Sequence, residues 1–309
     1  MTEIIPRPSA AKDIILGICL CIMIFAVSYT FPFLGVFALL VLPLPVLFYR
    51  LKLGRNSGGI IAAASFVVLM VMTRGFAFDS LYFGALLMTG LFLGECIERN
   101  MGIERTMVFT VTGVTGTALV AFFIYAGIQT TPMGEMVSDY ISQYFSLTSA
   151  LYADMGIEKE QIAVLNSAFL IVLPGMFIVS YMTTVWLNIL IIKKLLARIG
   201  IPLKNMENLN RFKAPDPLVW WVIALGVLLA LPVGAVKYVA VNCLIILMLV
   251  YFFQGIAIIS FFFQKKESPA FLKVFCYGLI AVQIYFLILV IGLGFFDNWI
   301  NFRKLEFQK

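Results

Sequence analysis

KKLLARIGIPLKNMENLNRFKAPD, residues 193–216, is the stretch on which the reading of this chain turns. It combines many charges with helix breakers, and long apolar runs flank it on both sides. Lys193, Lys194, Arg198, Lys204, Arg211 and Lys213 stand against only Glu207 and Asp216. A short basic loop between apolar segments resists translocation, so this one is expected on the cytoplasmic side. That expectation sets the side of every other segment.

The flanks favour hydrocarbon. Of 309 residues, 62% are hydrophobic and 12% charged, and the mean hydropathy is +1.03. A soluble domain carries about 25% charged residues; half of that leaves too little polar surface to cover a globule in water. Continuous apolar runs of spanning length predict an all-α fold, a polytopic transmembrane helix bundle, whereas a barrel requires alternation of period two.

The net charge of +6 would point to nucleic acid in a soluble chain. Here basic residues fill cytoplasmic loops, so the expected partner is the lipid bilayer and no nucleic acid. Arg7 and Lys12 precede an apolar run that leads straight into another, which predicts no cleavable signal.

The chemistry available is narrow. There is no histidine, which removes imidazole-ligated haem, imidazole zinc sites and histidine-based triads. Cys19, Cys21, Cys96, Cys243 and Cys276 lie in or beside apolar runs without a CxxC pair. No Walker A, GxSxG, HExxH or dinucleotide fingerprint occurs. No enzyme activity, metal or cofactor is expected.

Outward from the basic connection, residues 1–192 are expected to form an N-terminal bundle of about six spans. The uncharged run 14–49 fits two short helices turning near Tyr29-Thr30-Phe31-Pro32, the second kinked at Pro43 and Pro45. A third span starts at Asn56-Ser57-Gly58-Gly59. A fourth carries Gly90 and Gly94, a GxxxG pair that fits either dimerisation or contact within the bundle. Glu95 and Glu98 read as a solvated helix end. Residues 135–157 read as an amphipathic helix on the outer face, with Met136, Tyr140, Tyr144 and Leu151 on its apolar side. The run 161–192 holds Pro174-Gly175, which leaves one kinked helix or a discontinuous one.

On the other side, residues 217–309 are expected to hold about three spans, 217–236, 238–264 and 274–296, for a total of about 8–9. With the N-terminus inside, most of the 22 lysines and arginines fall on the cytoplasmic side. The tail, with Arg303 and Lys304, does not fit a count of nine.

Ionisable groups deep in a span are almost absent, which argues against an ion-coupled carrier. Uncharged amides remain: Asn166, Asn188, Asn242, Gln254 and Gln283. Each needs a partner in hydrocarbon. Interhelical hydrogen bonding is one reading; the other is a solute cavity lined by Asn166, Asn242, Gln254 and Gly255. At the tail, GFFDNWINFRKL, residues 294–305, places Asp297, Trp299 and Arg303 at an interface. Tryptophan suits the headgroup level, and Asp297 with Arg303 fits a pair that anchors the last helix.

Asn242 early in a span, YFFQGIAIISFFFQKK at 251–266, a loop with proline and the closing GFFDNWINFRKL resemble the YybS-like family of uncharacterised bacterial membrane proteins. Gln254, Gly255, Asp297, Trp299, Phe302 and Arg303 carry the likeness, which is specific from Phe212 to Leu305. Asn301 departs from it, standing where an acidic residue is expected. The family is distantly similar to the substrate-binding S-components of energy-coupling-factor transporters.

That resemblance implies a bacterial cytoplasmic (inner) membrane protein that binds a small solute from outside and docks on a cytoplasmic ATPase module. The preferred expectation is therefore solute binding or transport. The alternative is a non-transporting scaffold or regulatory protein whose Lys193, Lys194 and Arg198 meet a cytoplasmic protein partner or anionic headgroups. A polar cavity touching Asn166, Asn242 or Gln254 separates the two.

Overall fold

The computed structural model of this chain describes residues 9–73, 78–129, 141–142, 145–146, 159–201, 203, 209–230 and 234–303. Among them every regular element is helical. Seven helices are long and apolar enough to cross a bilayer, or eight if one bent pair counts as a crossing. The chain is a polytopic helical membrane protein. The expected amphipathic helix at 135–157 lies outside the described residues, apart from 141–142 and 145–146. Two compact units form, Met1–Ala150 with Tyr181–Met206, and Leu151–Ser180 with Glu207–Lys309.

In the first unit the run 14–49 breaks where its prolines require. α1 (Ser9–Thr30) is followed by α2 (Pro32–Leu40), with Pro32 in the first turn, where a missing N–H costs nothing. Pro43 starts α3 (Pro43–Leu53), so the expected kink is a break between α2 and α3. Gly54 then turns the chain at φ 103°, ψ 169°, a region open in practice only to glycine. α4 (Arg55–Met72), α5 (Phe78–Glu98) and α6 (Ile103–Gln129) complete this part.

Helices in lipid associate by close packing rather than by the hydrophobic effect. A Cβ on Gly90 would come within 2.6 Å of the Pro43 carbonyl, and one on Gly113 within 2.6 Å of the Phe92 ring. Gly90 therefore packs α5 on α3 inside the unit. Leu42, Val46, Ile61, Leu86 and Val114 fill the core, with Tyr181 closing it.

α7 (Lys159–Arg198) runs through Pro174 as one helix of 40 residues, which resolves the choice left open for the run 161–192. Its residues up to Ser180 belong to the second unit and those from Tyr181 to the first. One of the expected C-terminal spans differs from the sequence reading. α8 is described over Leu218–Ala230, within the expected span 217–236, of which 231–233 lie outside the described residues. α9 (Gly234–Lys265) is long enough to cross. The run 274–296 is divided: α10 (Ala270–Val282) and α11 (Ile284–Ile300) meet at 104°, with Gln283 extended between them. Val282 and Ile284 flank that break, and no proline or glycine adjoins it to give it away.

Candidate functional site

The residues that carry the resemblance converge in the second unit. α11 ends on Asn301, left-handed at φ 47°, whose N–H bonds the Asp297 carbonyl at 3.1 Å. Asparagine tolerates that conformation, which gives the departure at this position a structural use. The turn folds the next two residues back over the helix end. Asp297 Oδ1 accepts from the Phe302 N–H at 2.9 Å. Its Oδ2 accepts from Arg303 Nη2 at 2.8 Å and Gln254 Nε2 at 3.1 Å.

The knot extends to the basic connection. Gln254 Oε1 accepts from the Ala214 N–H at 3.0 Å. Arg303 Nη1 donates to the carbonyls of Asn210 at 3.1 Å and Phe212 at 2.9 Å. The planar guanidinium serves a carboxylate with one nitrogen and two carbonyls with the other, which an ammonium cannot do in one plane. The ion pair is buried, with side chains 0% and 2% exposed for Arg303 and Asp297. Glycine allows the approach: a Cβ on Gly255 would collide with the Val290 carbonyl, and one on Gly294 with that of Tyr251. Trp299 projects outward, half-exposed, its ring 5.2 Å from that of Phe295.

Asn242 does a different job in the same unit. Its Nδ2 donates to the Ile171 carbonyl at 2.7 Å, and its Oδ1 accepts from the Gly175 N–H at 2.6 Å. Residues 171 and 175 are an i, i+4 pair of α7, and Pro174, which clashes with the preceding turn, sits between them. The amide thus serves both halves of one backbone pair beside the proline. Asn188 acts likewise in the first unit. Its Nδ2 donates to the Leu40 carbonyl at 2.8 Å. The N–H of Leu44, the expected donor to that carbonyl, bonds Val41 instead across the break before Pro43.

Asn166 stands partly exposed on α7 and bonds neither Asn242 nor Gln254. Gln254 and Gly255 are both buried on α9. A cavity of about 10 Å³ lies in the first unit among Cys21, Phe25, Leu42, Ser65 and Leu87, room for one water at most. It touches none of the candidates. Lys194 and Arg198 are exposed near the C-terminal end of α7, where positive charge complements the helix dipole; Lys193 is partly buried.

A second charged cluster was not anticipated. Arg50, 4% exposed, grips Glu98 through Nε at 3.0 Å and Nη2 at 2.7 Å. It also reaches Glu95 at 2.6 Å and the Leu91 carbonyl at 2.8 Å. Glu95 and Glu98 are thus both paired, Glu98 while still exposed at the helix end. Arg55 and Arg99 approach Glu95 at 3.2 and 2.8 Å. A Cβ on Gly58 or Gly94 would collide with the Arg50 side chain. Carboxylates three residues apart directly after a glycine were the available signal.

No curated protein and no solved structure matches this chain. One family model matches residues 19–298, from α1 into the end of α11 that carries Asp297. The chain belongs to that family, described as Predicted membrane protein (DUF2232).

Proposed function

We propose that this protein is a non-enzymatic, non-transporting membrane scaffold or regulatory protein that presents its basic connection to a cytoplasmic protein partner. The observation that carries this is the hold of Arg303 and Gln254 on residues 210, 212 and 214 of that connection. A loop that only links two spans has no use for a buried ion pair to fix its course. In support, Asn188, Asn242 and Gln254 all bond backbone groups. In this reading the protein lies in a bacterial cytoplasmic membrane with its N-terminus inside, as its charge distribution favours.

A second reading is solute binding of the S-component type, in line with the YybS-like resemblance. The break between α10 and α11 favours it, because discontinuous helices are where many transporters hold substrate. A photo-crosslinker at position 198 in living cells separates the two. A discrete protein adduct that disappears when Lys194 is reversed to Glu, with the membrane protein still accumulating, supports the scaffold. A small molecule that co-purifies stoichiometrically in mild detergent, and is lost in Gln254→Leu, would sink it. The orientation has its own check: a membrane-impermeant amine reagent applied to intact cells should leave Lys213 unmodified.

A further inference from the structure

We infer that the exposed rim of the first unit at Arg55 and Arg99 binds the phosphodiester of an anionic phospholipid. The reason is local charge balance. Three guanidiniums, those of Arg50, Arg55 and Arg99, meet only two carboxylates, Glu95 and Glu98. Glu98 is gripped at both oxygens by Arg50. Glu95 gives Oε2 to Arg50 and Arg55 and Oε1 to Arg99. One positive charge is left over, and it lies on the outer pair, since Arg50 is buried while Arg55 and Arg99 are 71% and 60% exposed.

The surroundings do not neutralise it. Lys52 is paired with Asp13 at 2.7 Å, and among the described residues Arg55 and Arg99 form an ion pair with no carboxylate other than Glu95. A phosphodiester carries a single negative charge, which matches the deficit. Guanidinium forks bind phosphate oxygens in the plane they leave free.

The site also stands where such a headgroup would be. α4 begins and α5 ends at this rim, and further along α4 Ile60 and Val67 are 52% and 60% exposed, apolar surface of the kind an acyl chain covers. A soluble phosphate would gain nothing from that surface. A lipid uses both parts.

The full-length protein in mild detergent, studied by native mass spectrometry with dioleoyl phosphatidylglycerol or dioleoyl phosphatidylcholine, tests this. The anionic lipid should be retained about fivefold more tightly, given about 1 kcal/mol for one uncompensated basic charge near a headgroup surface. Arg55→Gln with Arg99→Gln should abolish the preference, whereas Arg55→Lys with Arg99→Lys should keep most of it. Lys194→Gln with Arg198→Gln should leave it unchanged. Equal retention of the two lipids, an unaltered preference in the double Gln variant, or loss of it only when positions 194 and 198 change would overturn the inference. So would displacement of the lipid by millimolar glycerol 3-phosphate.

Discussion

Asn242→Ala should destabilise the protein by about 2 kcal/mol, and Pro174→Ala should remove most of that cost. Asn242 donates to the Ile171 carbonyl and accepts from the Gly175 N–H, at 2.7 and 2.6 Å. Its further bond to the Tyr238 carbonyl lies within its own helix and adds little between helices. An interhelical hydrogen bond in a membrane protein contributes about 0.6 kcal/mol on average, and a buried group left unpaired costs about 1–3 kcal/mol. Two bonds lost beside a proline that keeps the turn open therefore come to about 2 kcal/mol, roughly 30-fold in the folding equilibrium. With alanine at 174 the turn regains its N–H, the ladder closes, and residues 171 and 175 can bond each other. In that background Asn242→Ala should cost under about 0.5 kcal/mol. Reversible unfolding by sodium dodecyl sulfate from mixed micelles, followed by tryptophan fluorescence, measures all four members of the cycle. Equal costs of Asn242→Ala with proline and with alanine at 174 would refute the assignment of this amide to the proline break.

Three further outcomes follow from the other polar contacts. Asp297→Asn strands the buried Arg303 charge and should cost about 3–5 kcal/mol; Asp297→Leu with Arg303→Met should recover more than half of it in the same unfolding assay. Gly294→Ala drives a methyl into the Tyr251 carbonyl and the Gly255 N–H, which should cost at least about 2 kcal/mol, while Gly278→Ala, with nothing in reach of its Cβ, should stay within about 0.5 kcal/mol. Arg50→Met leaves Glu95 and Glu98 facing each other without their buried cation and should lower the thermal midpoint in detergent by several degrees, with Glu98→Gln in that background raising it again.

The helical membrane class was legible because hydropathy and charge density act over whole segments, and no local accident reverses them. The break at Phe31-Pro32 and the restart at Pro43 were legible too, since proline acts through its own covalent geometry. The bend at Gln283 was not. Its neighbours are β-branched apolar residues that sit equally well in a straight span. Within the site, the pairing of Asp297 with Arg303 followed from their position at one helix end. Its burial, and the part played by Gln254 from a different helix, depended on contacts across the second unit that no spacing encodes.

Polar groups inside a membrane are commonly taken to mark a route for a solute or an ion. Here their partners argue otherwise. Asn242 meets α7 beside Pro174, Asn188 meets the carbonyl orphaned before Pro43, and Gln254 meets the N–H of Ala214 just ahead of Pro215. The two buried arginines add the same service, Arg50 to the Leu91 carbonyl and Arg303 to those of Asn210 and Phe212. In hydrocarbon an open backbone group has no water to turn to, so irregular backbone is tolerated only where protein supplies the missing partner. Asn188 and Asn242 sit where proline interrupts a helix, Gln254 holds irregular backbone ahead of Pro215, and both arginines donate to main-chain carbonyls. These polar residues of the spans are therefore evidence for how the fold survives its prolines.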